Sequence, residues 1–136
     1  MSNIIEIKNS SSLIKFVKPD FTHKDDRGFL TQITSKGKWN QINYIESKKN
    51  CVRGNHYHQF NRELFYVIEG RFYLTLEKDD IKKIYDIIAN DMFIIEPFVT
   101  HSFEYIEKTM LITMYDKGVE LQDGKMDMLI SKKNKL

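Results

Sequence analysis

The sequence predicts an all-β fold, a barrel or sandwich of short antiparallel strands. Three observations carry this. Apolar and β-branched runs recur along the chain, broken by turn residues at a spacing of roughly 8–12 residues. Residues 71–77 alternate, with Phe72, Leu74 and Leu76 on one face and Arg71, Tyr73, Thr75 and Glu77 on the other. No long segment carries an apolar stripe of helical period with caps at its ends.

In chain order, the turn Asp25-Asp26-Arg27-Gly28 precedes a strand over residues 29–33. Strands over 41–47 and 52–58 come next, then the apolar run 64–68. Glu69-Gly70 closes that run, and glycine permits a tight reversal into the alternating segment 71–77. Asp79-Asp80 marks a turn into 81–88, and Ala89-Asn90-Asp91 another into 92–96. Residues 102–106 and 110–115 complete the series. Residues 117–136 carry several lysines and read as a partly ordered tail, with 126–130 able to add a last strand. Lys132-Lys133-Asn134-Lys135 reads as a solvated end. Ile4, Ile5 and Ile7 read as a strand in need of a partner.

A chain of 136 residues is one domain with little room for a second. It buries about two-thirds of the surface that its unfolded form exposes, enough for a core without disulfides. Lys+Arg 21 against Asp+Glu 19 is too even for a dedicated nucleic-acid binder. Cys51 is the single cysteine, so no intrachain disulfide forms, and a reducing compartment fits. The chain has no apolar run of membrane-spanning length and does not begin like a signal peptide, so a cytoplasmic location is expected.

Chemistry concentrates in Arg53-Gly54-Asn55-His56-Tyr57-His58 and the following Glu63. Histidines at i and i+2 on a strand share a face. A further histidine, His101, follows Pro97-Phe98-Val99-Thr100. Adjacent antiparallel strands would gather His56, His58, Glu63 and His101 in one mouth of the barrel. Three imidazoles and a carboxylate suit a divalent transition metal. Without metal, the same groups suit proton transfer near neutral pH.

His56, His58, Glu63 and Gly70 resemble the first motif of the cupin superfamily, and Asn90-Asp91 through Pro97 to His101 resembles its second, without the usual glycines. The resemblance implies a jelly-roll barrel, the double-stranded β-helix, over a single cupin domain spanning residues 1–136. Asp26-Arg27-Gly28-Phe29-Leu30, Tyr44 and the Arg53–His58 segment are similar to the nucleotide-sugar branch of that superfamily. Three groups of that branch compare. The dTDP-4-keto-6-deoxyglucose 3,4-ketoisomerases have about this length. The dTDP-4-dehydrorhamnose 3,5-epimerases are longer and carry Gln where His58 stands. The C-terminal cupin of capsular-polysaccharide reductases shares the Arg-Gly-Asn-His-aromatic-His run, retains zinc and catalyses sugar epimerisation.

Length and the paired histidines point to the ketoisomerases, which need no metal. Tyr57 and Asn55 lean toward the reductase cupin, since ketoisomerases carry a small residue between the histidines. The resemblance implies an isomerase acting on a dTDP-linked 4-keto-6-deoxy sugar, with His58 as main proton carrier, His56 beside it and Tyr44 assisting. Arg53 and Arg71 are expected at the diphosphate, and Glu63 and His101 at the substrate or orienting the histidines. If metal is bound, its ligands are His56, His58, Glu63 and His101, and a metal-dependent enzyme such as a dioxygenase, or a 3- or 3,5-epimerase, is the alternative. Tyr44 is equally suited to be an ordinary strand aromatic. A homodimer with exchanged N-terminal strands is expected, with no nucleic-acid or membrane partner.

Overall fold

The structure is a computed structural model that describes residues 4–131. Among them the strands are β1 (Ile14–Val17), β2 (Phe21–Asp25), β3 (Gly28–Gln32), β4 (Gln41–Ser47), β5 (Val52–Tyr57), β6 (Glu63–Glu69), β7 (Arg71–Lys78), β8 (Ile81–Ile88), β9 (Met92–Ile95), β10 (Thr100–Tyr105), β11 (Thr109–Tyr115) and β12 (Leu129–Ile130). One five-stranded sheet runs β1-β9-β6-β11-β4, and a second runs β12-β5-β10-β7-β8. The strands of both sheets pair antiparallel. β2 and β3 form a separate two-stranded hairpin. This is the jelly-roll arrangement expected from the sequence.

The core lies between the sheets. Phe72, Leu74 and Leu76, the face picked out by alternation, have no exposed surface and meet Phe65, Phe93 and Leu111 from the facing sheet. Each large apolar side chain buried in this way contributes about 1.5–3 kcal/mol over leaving it in water. A second cluster, including Leu64, Tyr66, Met92 and Met114, covers the outer side of the first sheet beneath Ile33 and Trp39. β6 is therefore apolar on both faces, as its continuous run requires.

Two strands, β1 and β2, were not foreseen, because each is too short and mixed in polarity for a clear period. Within one chain the N-terminal segment already meets a strand. Ile5 bridges in parallel to Ile84 of the same chain, and Glu6 N–H donates to the Ile84 carbonyl at 2.7 Å. The C-terminal segment is also better built than a loose tail. Val119, Asp127 and Ser131 are buried, and Leu129–Ile130 pairs with β5. The lysine run 132–135 lies outside the described residues.

Candidate active site

β10 lies between β5 and β7, which puts His101 opposite His56. In the facing sheet β11 pairs with β6, which puts Tyr115 opposite Glu63. A cavity of about 420 Å³ opens between these pairs, with Arg53 and Met128 also on its wall.

Local backbone chemistry sets the phase of β5. In a regular strand Arg53 and His56, three residues apart, face opposite ways. Between them Gly54 has φ 103° and Asn55 φ 60°, and the register against β10 shifts at this point. This β-bulge turns both side chains into the cavity. A Cβ on Gly54 would stand 2.5 Å from the His101 carbonyl oxygen, so only glycine fits there.

The three motif histidines converge. Ring centroids are 4.5 Å apart for His56 and His101, and 5.3 Å for His58 with either of the others. Their hydrogen bonds separate their roles. His101 Nδ1 donates to the Val99 carbonyl at 3.0 Å, which leaves Nε2 as a lone pair. That Nε2 is buried and has no hydrogen-bond partner, with Glu63 at 3.6 Å. His58 Nδ1 donates to the Asp127 carbonyl at 2.5 Å, and its Nε2 meets Glu63 Oε1 at 3.2 Å.

Burial drives the titration. It pulls His56 down to about 4, with the neighbouring His58 adding to the effect. His101 lies well below the ordinary histidine value, through burial and then the charges of His56 and His58. Both are neutral at pH 7. Burial also pulls on His58, but the hydrogen bond and charge of Glu63 outweigh it and raise His58. Glu63 is itself raised by burial, so the pair keeps one proton in its shared hydrogen bond. Tyr115, hydrogen-bonded to Glu63, is pushed up by burial and by the Glu63 charge, and stays protonated.

Donor atoms of His56, His58 and His101 lie within 4.8 Å of one another. Neutral imidazoles oriented by backbone carbonyls, one with an unpartnered buried Nε2, fit a divalent transition metal. His56 and His101 would hold the ion, joined by His58 once its Nε2 leaves Glu63.

Not every expected residue reaches the cavity. Arg53 does, its Nε donating to Ser47 Oγ at 2.8 Å. Tyr44 does not: it stands on the outer face of β4, 58% exposed, because Ile45 takes the inward position. Arg71 also points outward, where Asp86 on β8 holds its guanidinium through two bonds of 3.0 Å. His58 does not line the cavity; both its nitrogens are engaged behind His56 and His101.

Tyr115, Met128 and Asp127 were missed. The signal that could have found Tyr115 is strand alternation, which puts Leu111, Thr113 and Tyr115 on one face without saying which face is inward. Asp127 carried a weaker sign, a lone carboxylate between two methionines. Besides holding His58, it accepts the backbone N–H groups of Gln59, Phe60 and Asn61 and the Asn61 amide at 2.7–3.1 Å. Those bonds hold its carboxyl below the ordinary carboxylate value against the opposing effect of burial. The C-terminal segment thus locks the loop that follows β5.

The fold recurs in solved structures. The sugar 3,4-ketoisomerase QdtA from Thermoanaerobacterium thermosaccharolyticum, in complex with TDP, superposes with TM-score 0.72 at 19% identity over 88% of each chain. A dTDP-4-dehydrorhamnose 3,5-epimerase from Sulfolobus tokodaii gives TM-score 0.66 at 22% identity, over 81% of this chain and 73% of its own. The capsular polysaccharide assembling protein CapF of Staphylococcus aureus gives 0.60 at 22%, over 81% of this chain but 33% of its own. No curated protein matches the chain by sequence. Residues 23–127, which hold the histidine triad, Glu63, Tyr115 and Asp127, match a whole-domain family, and on that match the chain belongs to the polysaccharide biosynthesis C-terminal domain family.

Proposed function

We propose that this protein is an isomerase acting on a nucleotide-linked 4-keto-6-deoxy sugar, moving the ketone from carbon 4 to carbon 3. The observation that carries this is the pair of neutral imidazoles, His56 and His101, facing a mostly apolar cavity with Arg53 at its wall. A ketone at carbon 4 acidifies the carbon 3 hydrogen. An imidazole beside that hydrogen takes the proton and leaves an enediolate. Return of a proton to carbon 4, with transfer of the carbon 3 hydroxyl proton, leaves the ketone at carbon 3.

In this reading His56 makes the exchange rather than His58, a choice supported by the hydrogen bonds that occupy both His58 nitrogens. A diphosphate held by Arg53 would raise the basicity of His56, since a nearby anion favours imidazolium. The Tyr115 hydroxyl, kept protonated, is suited to hydrogen-bond the sugar's oxygen. Likeness of fold to TDP-bound ketoisomerases and epimerases supports a dTDP-linked substrate. The test is incubation with dTDP-4-keto-6-deoxyglucose in heavy water, with NMR of the sugar protons. Deuterium at carbon 3 or 4, with a 3-keto product, supports the reading. Exchange at carbon 5 instead would make the protein an epimerase.

A second reading rests on the unpartnered His101 Nε2 and the triad around it. A divalent ion there would polarise the sugar carbonyl as a Lewis acid. Exchange abolished by chelation and restored by zinc would select it. The proposal includes a homodimer. Phe21, Phe29 and Leu30 on the β2–β3 hairpin are at least half exposed, and a two-stranded hairpin gains stability from a covering partner. Sedimentation showing a monomer at micromolar concentration would remove that part.

A further inference from the structure

A second concavity lies on the opposite side of the same strands. Tyr57 follows His56 and Thr100 precedes His101, so both point away from the barrel interior. With Phe98, Glu77 and Lys78 at the end of β7, and Asp79 of the turn that follows, they line a cleft of about 480 Å³, within the usual range for small-ligand sites. None of its residues lines the histidine cavity.

The cleft has two kinds of wall. One is aromatic. Tyr57 and Phe98 lie 6.3 Å apart with their planes 30° from parallel. Phe98 is 53% exposed and sits at φ 66°, a left-handed conformation that a bulky residue rarely adopts. Its N–H is fixed to the His58 carbonyl at 2.7 Å, so the strain is held by the loop and keeps an apolar ring in water. The other wall is polar. Thr100 stands opposite Glu77 in the β10–β7 register, and Glu77 is 9% exposed with Lys82 at 3.8 Å. Lys78 on the wall and Lys82 beside Glu77 balance the Glu77 and Asp79 carboxylates, so the polar wall carries no net charge.

We infer that this cleft binds a neutral pyranose, distinct from the nucleotide-linked substrate of the histidine cavity. An aromatic ring packs against the C–H face of a sugar, while carboxylates and a hydroxyl accept and donate to its hydroxyl groups. A nucleotide fits less well: the balanced wall offers a diphosphate no excess of cations, and rings splayed by 30° do not sandwich a flat base. The inference does not depend on the reaction at His56.

The test uses the full chain, labelled with nitrogen-15 and titrated with methyl α-D-glucoside, methyl α-D-mannoside and methyl β-N-acetylglucosaminide while amide shifts are followed. The expected result is saturable shifts at residues 57, 77–79 and 98–100 with at least one glycoside, at a dissociation constant of about 1 mM. Phe98→Ala should weaken that binding about tenfold or more while dTDP still binds the barrel. Glu77→Gln, which keeps shape and removes charge, should weaken it too, and it serves if Phe98→Ala does not fold. No shifts with any glycoside, shifts confined to the histidine cavity, or cleft shifts with free thymidine but not with the glycosides would each overturn the inference.

Discussion

The two faces of the β5–β10 pair differ more than their shared backbone suggests. Inward, His56 and His101 are neutral imidazoles in a buried cavity. Outward, one residue away on each strand, Tyr57 and Thr100 line a solvent-facing cleft with carboxylates. Strand alternation places opposite chemistries on neighbouring residues at no cost in fold. What it does not set is phase, and here phase depends on the bulge at Gly54 and Asn55.

Removing the bulge should break the contrast most severely. Gly54→Ala forces a side chain onto the His101 carbonyl at an unfavourable φ, with an expected loss of about 2–5 kcal/mol. Urea unfolding measures it; an unchanged midpoint would show that the bulge relaxes freely. Asp127→Ala comes next, because three backbone N–H groups and the Asn61 amide lose their acceptor. A loss of about 2–4 kcal/mol is expected, with Asp127→Asn milder because its amide oxygen still accepts. Equal losses for the two variants would mean that charge, not hydrogen bonding, holds the loop.

The inward face should also betray itself through pH. In metal-free protein, His56 and His101 are lowered, so the unfolded chain takes up protons first. Their contribution to stability is present above the unfolded value, about 6.5, and falls as pH drops toward about 4. His58 is raised, so its contribution runs the other way: it is complete below the unfolded value and lost as pH rises through the folded one. His56→Asn should flatten the decline between pH 6.5 and 4 by about one proton's slope. A slope unchanged by that variant would contradict the neutral assignment of His56.

Smaller effects separate the residues on the cavity from those off it. Arg53→Ala should weaken dTDP binding about 10- to 100-fold, the range for a charge-assisted contact. Tyr44→Phe should leave binding and exchange within about twofold of the parent, since its ring is outside the barrel. Titration calorimetry reads both, and a large Tyr44 effect would place that hydroxyl at a site in an assembly of chains.

Most of the barrel was legible because its strands alternate cleanly or run apolar between turn residues, as 71–77 and 64–68 do. The histidines were legible because His56, His58, Glu63 and His101 keep the motif spacing, although Glu63 reaches them from the facing sheet rather than from an adjacent strand. Tyr44 and Arg71 misled for one reason: residue type says what a side chain can do, and only register says which face it occupies. Asp127 hid in a polar C-terminal stretch because its partners lie 66–69 residues away in sequence, on a loop without a period of its own. The division of labour between His56 and His58 was out of reach too, since it depends on a backbone carbonyl from that same stretch.

The central claim is that His56 carries the proton. Solvent deuterium incorporation into dTDP-4-keto-6-deoxyglucose, compared between His56→Asn and His58→Asn as folded proteins, tests it most directly. The account predicts that His56→Asn loses about 10²–10⁴ in exchange rate, the usual range for general acid–base catalysis, while His58→Asn loses less and is mainly less stable. Exchange by His56→Asn at the parent rate, or its abolition by His58→Asn alone, would contradict it.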